Sequence, residues 1–200
     1  STRQGYVFFS IFYIGIFFFI KVNPLNLTNH QWAEFRTTKS GVKLHLRLVF
    51  MEKGHSYPDQ AVLSNAIDHD RNHLEIFIDD KECMYVFDRG YLDYNRFDRM
   101  TDDGYFFVTR LRKNAVIRYL ETFELPTDSC VLSDEMIVIG TTQNRSENVF
   151  RLIKVLDSKG NELQLLTNRF DLSADEIAEV YKSRWAIELF FKWMKQHLNI

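Results

Sequence analysis

Between residues 43 and 51 the chain alternates. Leu44, Leu46 and Leu48 interleave with Lys43, His45 and Arg47, the period of two expected of a half-buried strand. His45 reads there as part of the polar face. Gly54 to Pro58 interrupts the pattern, and residues 69–78 have the spacing of a short helix. The apolar run Met84-Tyr85-Val86-Phe87 predicts a brief buried strand that stops at Asp88-Arg89-Gly90. Asp88 therefore lies at a strand's C-terminal edge. Residues 92–100 predict a helix and residues 105–111 a strand. Further strands follow over 135–142 and 150–167, the second folded back at Ser158-Lys159-Gly160-Asn161.

The closing helix carries the clearest local signal. Ser173 and Glu176 have capping-box spacing, and from there to Ile200 the chain contains neither Gly nor Pro, so the helix is expected to reach the end. At helical periodicity Tyr181, Arg184, Glu188 and Lys195 share one narrow arc. Val180, Ile187, Phe191, Met194 and Leu198 cluster on the adjoining side. One side packs, and its edge presents a phenol, two cations and a carboxylate.

Residues 6–20 break with this pattern: they carry no charge and hold six of the eighteen phenylalanines. Three readings are open for them: a buried strand pair, a membrane or export segment, or a start out of frame with the rest of the coding sequence. A spanning helix needs about 20 apolar residues. A signal peptide needs small residues at its cleavage site, where this chain has Asn23-Pro24-Leu25-Asn26.

Composition narrows the class. At 46% hydrophobic and 26% charged, the chain fits a globular domain with a sizeable core, which excludes disordered, collagen-like and disulfide-scaffold proteins. Lys and Arg total 25 against 27 Asp and Glu, a net charge of −2, so a surface for nucleic acid must be local. Cys83 and Cys130 are far apart and lack zinc spacing, which suits two reduced, part-buried thiols. His69 and His73 are spaced as a metal pair but have no third ligand nearby. Trp185 and Trp193 read as core anchors. Lys43, Arg47, Arg110, Arg112 and Lys113 are scattered cations, most simply a solvated surface that could add to a basic track.

Chemistry concentrates on few residues. A divalent cation such as Mg²⁺ is typically held by one or two carboxylates, waters and substrate phosphates, and Asp88 and Glu188 are candidates for such a pair. Arg184 and Lys195 beside them would suit a phosphodiester. On these residues alone the competing account is a solvated helix with Arg184 and Glu188 as an i,i+4 ion pair.

The run from Tyr181 through Arg184 and Glu188 to Lys195 resembles the Y-R-E-K pattern of bacterial insertion-sequence transposases of the DDE type, the family numbered four, with all four spacings matched. The resemblance continues upstream, in order, through Trp32-Ala33-Glu34-Phe35-Arg36, Gly41-Val42-Lys43-Leu44-His45-Leu46, His69-Asp70, Tyr85-Val86-Phe87-Asp88-Arg89-Gly90-Tyr91 and Phe107-Val108-Thr109-Arg110-Leu111. It covers about residues 22 to 200.

It implies an α/β fold: a ribonuclease-H-like core with a β-rich insertion between the second and third acidic positions. Residues 1–21 would be an atypical apolar segment and 22–100 the first part of the core. Residues 101–170 would be the insertion, and 171–200 the helix with the third acid. Asp88 and Glu188 would be the second and third catalytic acids and metal ligands. Tyr181, Arg184 and Lys195 would contact DNA near the element's end. Two Mg²⁺ or Mn²⁺ ions would serve cutting and strand transfer. The partners implied are the element's DNA ends and target DNA, bound as a dimer in a cytoplasmic, nucleoid-associated protein with no stable membrane partner. The resemblance also implies a first catalytic Asp near Phe19 or Ile20, yet no Asp occurs before Asp59. The chain thus reads as a core fragment of such a transposase with an incomplete triad. The alternatives are a non-catalytic DNA-binding remnant, a ribonuclease-H-like nuclease, or a protein anchored through residues 6–20.

Overall fold

The computed structural model describes residues 12–20, 34–36, 39–40, 42–50, 56–65, 74–87, 93–184, 189, 192–193 and 196–197. In chain order its elements are β1 (Phe12–Ile20), β2 (Glu34–Arg36), β3 (Lys39–Ser40), β4 (Val42–Phe50), β5 (Ser56–Asn65), β6 (Met84–Phe87), α1 (Tyr94–Asp102), β7 (Phe106–Arg110), β8 (Ile117–Thr122), β9 (Val131–Thr141), β10 (Asn144–Arg145), β11 (Phe150–Leu156), β12 (Glu162–Thr167) and α2 (Ala174–Lys182). The architecture is mixed α/β and dominated by sheet. Among the described residues ten strands form one sheet in the order β10-β9-β11-β12-β7-β6-β1-β4-β5, with β8 also on β9, and β2 and β3 form a separate ribbon.

Pairing direction divides the sheet. β1 runs antiparallel to β4, and β4 antiparallel to β5. β6 runs parallel to both β1 and β7. From β7 outward the pairing with β12, β11 and β9 is antiparallel again. The alternation of side chains along β6 explains its place: all four residues are buried because both faces are covered. Met84 and Val86 join Val108, Ile153, Leu165 and the buried face of α2. Tyr85 and Phe87 join Phe107, Phe150, Leu152 and the buried face of α1. On the α1 side Phe97 stacks on Phe107 with ring centroids 4.7 Å apart, and Phe87 lies 5.8 Å from each. Each such ring contributes about 1.5–3 kcal/mol by leaving water.

Several expectations change. Residues 12–20 form one strand flanked on both sides, rather than a hairpin within the run; no described helix is long and apolar enough to cross a membrane. His45 and Arg47 of β4 are not on a wet face. His45 is fully buried, its Nε2 2.5 Å from Ser64 Oγ, and Arg47 is buried in an ion-pair cluster. The break near Pro58 is shorter than the sequence suggests, because β5 starts at Ser56 and tolerates the proline as an edge strand, opposite a register shift at Arg47/Leu48. Within 69–78 the described part is a 3-10 turn over Leu74–Phe77. β8 is not foreseen by the pattern at all: its residues are mostly exposed and carry no apolar alternation. Cys83 is buried and Cys130 exposed, both as free thiols. Trp193 is 55% exposed and stacks on His197 at 4.6 Å, so it is no core anchor.

Candidate functional site

α2 begins on a complete capping box. Glu176 N–H donates to Ser173 Oγ at 3.2 Å, and Ser173 N–H donates to Glu176 Oε2 at 2.7 Å. Its start is tied to the sheet by Arg151 of β11. That guanidinium donates twice to Asp134 of β9, at 2.7 and 2.5 Å, and also to the carbonyls of Arg169 and Leu172. Both charges are buried, so each depends on the other. From this anchor Ala174, Ile177, Val180 and Tyr181 pack on the side of the sheet that carries Met84 and Val86.

Tyr181 is only 3% exposed. One turn on, the Arg184 guanidinium carbon lies 5.5 Å from the Tyr181 ring centroid, a cation–π contact that fixes where the cation points. Ser183 keeps right-handed helical angles, and Arg184, Leu189, Lys192, Trp193, Gln196 and His197 are helical in turn; the rest of the expected helix lies outside the described residues. Tyr181 and Arg184 are thus brought together. Asp88, Glu188 and Lys195 lie outside the described residues, as do Asn23, His69, His73 and Trp185.

Beside α2, between Tyr181 and the β11–β12 hairpin, a cavity of about 440 Å³ has an apolar floor of Val155, Leu163 and Ala178 and an acidic rim of Asp157, Asp175 and Glu179. Asp157 is held below the usual carboxylate range by donors on Asn161 and Lys159. Asp175 is lowered by the Cys130 thiol and the Ser129 hydroxyl. The same contact pushes the Cys130 thiol up, which keeps it protonated and poorly nucleophilic. Lys182 also lines the rim, paired with Glu179 at 3.2 Å.

Four described carboxylates elsewhere are committed to structure. Asp59 and Asp79 pair with Arg47, whose pKa they raise against the opposing effect of its burial. Asp98 accepts from the N–H groups of Glu147 and Asn148, and Asp134 pairs with Arg151. Among the described residues no three His, Cys, Asp or Glu side chains group as a metal site. Sequence reading missed the Arg151–Asp134 tether. Its signal was present, a lone Arg inside the otherwise apolar start of a strand.

Fold and site define a sheet protein with a helix on each side, the second of which presents an arginine set by a buried tyrosine. The sequence profile of the transposase DDE domain matches residues 28–200, and the chain belongs to that family. It is 33% identical over 171 residues to the probable transposase for insertion sequence element IS5377 of Geobacillus stearothermophilus, covering 84% of this chain and 44% of that protein. It is 29% identical over 174 residues to the candidate transposase y4zB of Sinorhizobium fredii, covering 84% and 48%. The chain spans about half the length of these curated relatives. A solved structure of piggyBac transposase in a synaptic complex with hairpin DNA superposes on it with a TM-score of 0.48 at 9% identity, over 92% of this chain and 40% of that one.

Proposed function

We propose that the chain forms the core of a DNA transposase that cuts and joins strands at an insertion sequence's ends. The observation that carries this reading is the parallel pairing of β1 with β6, with α2 packed on the Met84/Val86 side of the sheet. If the alternation of β6 held for two residues past Val86, Asp88 would share the α2 side, and the reading takes Glu188 as its partner there. The order β5-β4-β1-β6-β7, with two antiparallel pairings followed by two parallel ones, corresponds to a ribonuclease-H-like core. β8 to β12 then form the β-rich insertion ahead of α2, beginning after β7.

We also propose a first acidic position from the register. Ile14 pairs with Val86, and that register carried two residues further would put Ile16 abreast of Asp88. Phe19 and Ile20 are three and four residues further, roughly 10–13 Å along the strand. β1 carries no carboxylate, so this chain brings Asp88 and Glu188 to a cation but no first acid. When bound, Mg²⁺ or Mn²⁺ supplies Lewis acidity to the attacking and leaving oxygens of a phosphodiester. The chain's own residues do the rest: Arg184 engages a backbone phosphate, Lys195 adds a point charge, and Tyr181 orients Arg184 from beneath. The DNA complex would be dimeric, and the protein would work at the nucleoid.

The absence of a carboxylate from β1 favours one second reading, a DNA-binding remnant without cleavage. Binding is common to both, so the test begins there. Fluorescence anisotropy of a labelled duplex titrated with the chain should show that Arg184→Ala binds more weakly, with the slope of log affinity against log salt reduced by about one. An unchanged slope would remove Arg184 from the interface. Dependence of any strand nicking on Mg²⁺ then separates transposase from remnant.

A further inference from the structure

A second polar cleft lies on the opposite side of the sheet. It has a volume of about 230 Å³ and is lined by Tyr94 at the start of α1, by Arg112, Asn114 and Ala115 in the turn after β7, and by Thr141 and Asn144 of the β9–β10 hairpin. Tyr94 and Ala115 pack against the α1-side cluster, so the cleft does not share a face with α2. Its shape is fixed by backbone. Gly140 N–H donates to the Val116 carbonyl at 2.9 Å, which ties the hairpin to the turn. Gly140 has φ +100°, and a Cβ there would come within 1.9 Å of the Asn144 carbonyl oxygen, so glycine is required.

The lining is rich in donors. No carboxylate lines the cleft. Among the described residues the side chains of Arg112, Asn114, Thr141 and Asn144 make no hydrogen bond or ion pair, whereas Arg47 and Arg151 are held in buried ion pairs. Lys113 and Arg145, the neighbours of Arg112 and Asn144, are also exposed, and neither has an ion pair among the described residues. A guanidinium fork, two carboxamides and a hydroxyl line the cleft with no anionic group among them, a lining that suits a phosphate oxyanion, which Arg can engage bidentately.

We infer that this cleft binds a phosphoryl group, and that its source is the backbone of a DNA segment distinct from the one at Arg184. The choice of DNA over free phosphate rests on the transposase reading; the oxyanion site itself does not. A strand crossing the cleft would meet Arg112 first, with Lys113 and Arg145 flanking it along the backbone.

Two measurements on the full chain test the inference. In duplex-DNA titrations across a salt series, Arg112→Ala should reduce the slope of log affinity against log salt by about one, and its effect should add to that of Arg184→Ala. Asn144→Ala, which leaves the charge unchanged, should weaken binding without changing the slope. Titration of inorganic phosphate, followed by the Arg112 side-chain Nε–Hε signal in NMR, should shift that signal and be competed away by duplex DNA. If the chain binds DNA with the same slope after Arg112→Ala, the DNA assignment is overturned. If the chain binds no DNA but phosphate still shifts Arg112, the function proposed above fails while the oxyanion site stands with free phosphate as its source. No shift with phosphate, together with an unchanged slope, overturns the site.

Discussion

Tyr85 lies on the α1 side of β6, and its hydroxyl accepts from the N–H groups of Asp79 at 3.0 Å and Asp80 at 2.8 Å. Burial, with the Asp79 carboxylate adding to it, pushes its pKa from 10.0 up to about 12, against the pull of those donors and of Arg47. The folded value stands above the unfolded one, so this group's contribution is complete below pH 10 and is lost as pH rises toward about 12. Urea unfolding should therefore show stability declining over that window, by on the order of 2 kcal/mol from this residue. Tyr85→Phe should flatten the decline and cost about 1–3 kcal/mol near neutrality, because two N–H groups lose their acceptor. An alkaline limb unchanged in the variant would contradict the assignment. Burial of Tyr85 was legible from the apolar run around it. The fate of Arg47 and His45 was not: alternation marks which residues share a face, but not whether that face meets partners far along the chain. Asp59 and Asp79, 12 and 32 residues further on, close around Arg47, and Ser64 meets His45.

α2 was the element most legible in advance, because its signals are local: a capping box and a helical stripe. Removing the cap with Ser173→Ala should cost about 1 kcal/mol, measured as a shift in urea midpoint. The tether that aims the helix was hidden, since Arg151 and Asp134 sit on different strands and meet only in the sheet. Arg151→Ala should cost about 3–5 kcal/mol by leaving Asp134 buried and uncompensated. Replacing both, as Arg151→Met with Asp134→Leu, should recover most of that loss. Equal losses in the single and double variants would show that the pair's charges do not depend on each other. β8 escaped notice because strand patterning is a record of burial, and this strand has little; the β9 backbone holds it instead.

For the whole molecule, the sequence resemblance carried the family and the general α/β character, while the order of strands came only from pairing. Residues 12–20 show the difference. Their apolar composition leaves a membrane or export segment, a strand pair and an out-of-frame start open, and their pairing with β4 and β6 shows one strand. That same pairing is the ground on which we propose Ile16 for the position abreast of Asp88.

The central claim is that Asp88 and Glu188 face a cation from the α2 side, one carboxylate short at β1. Mn²⁺ binding followed by electron paramagnetic resonance tests it most directly, in the chain and in its Ile16→Asp, Phe19→Asp and Ile20→Asp variants, each checked for folding by circular dichroism. Ile16→Asp is predicted to bind Mn²⁺ about tenfold more tightly than the unaltered chain, the scale of adding one ligand, and Asp88→Asn in that background to abolish the gain. Tighter binding from Phe19→Asp or Ile20→Asp instead, or a gain that survives Asp88→Asn, would contradict the account.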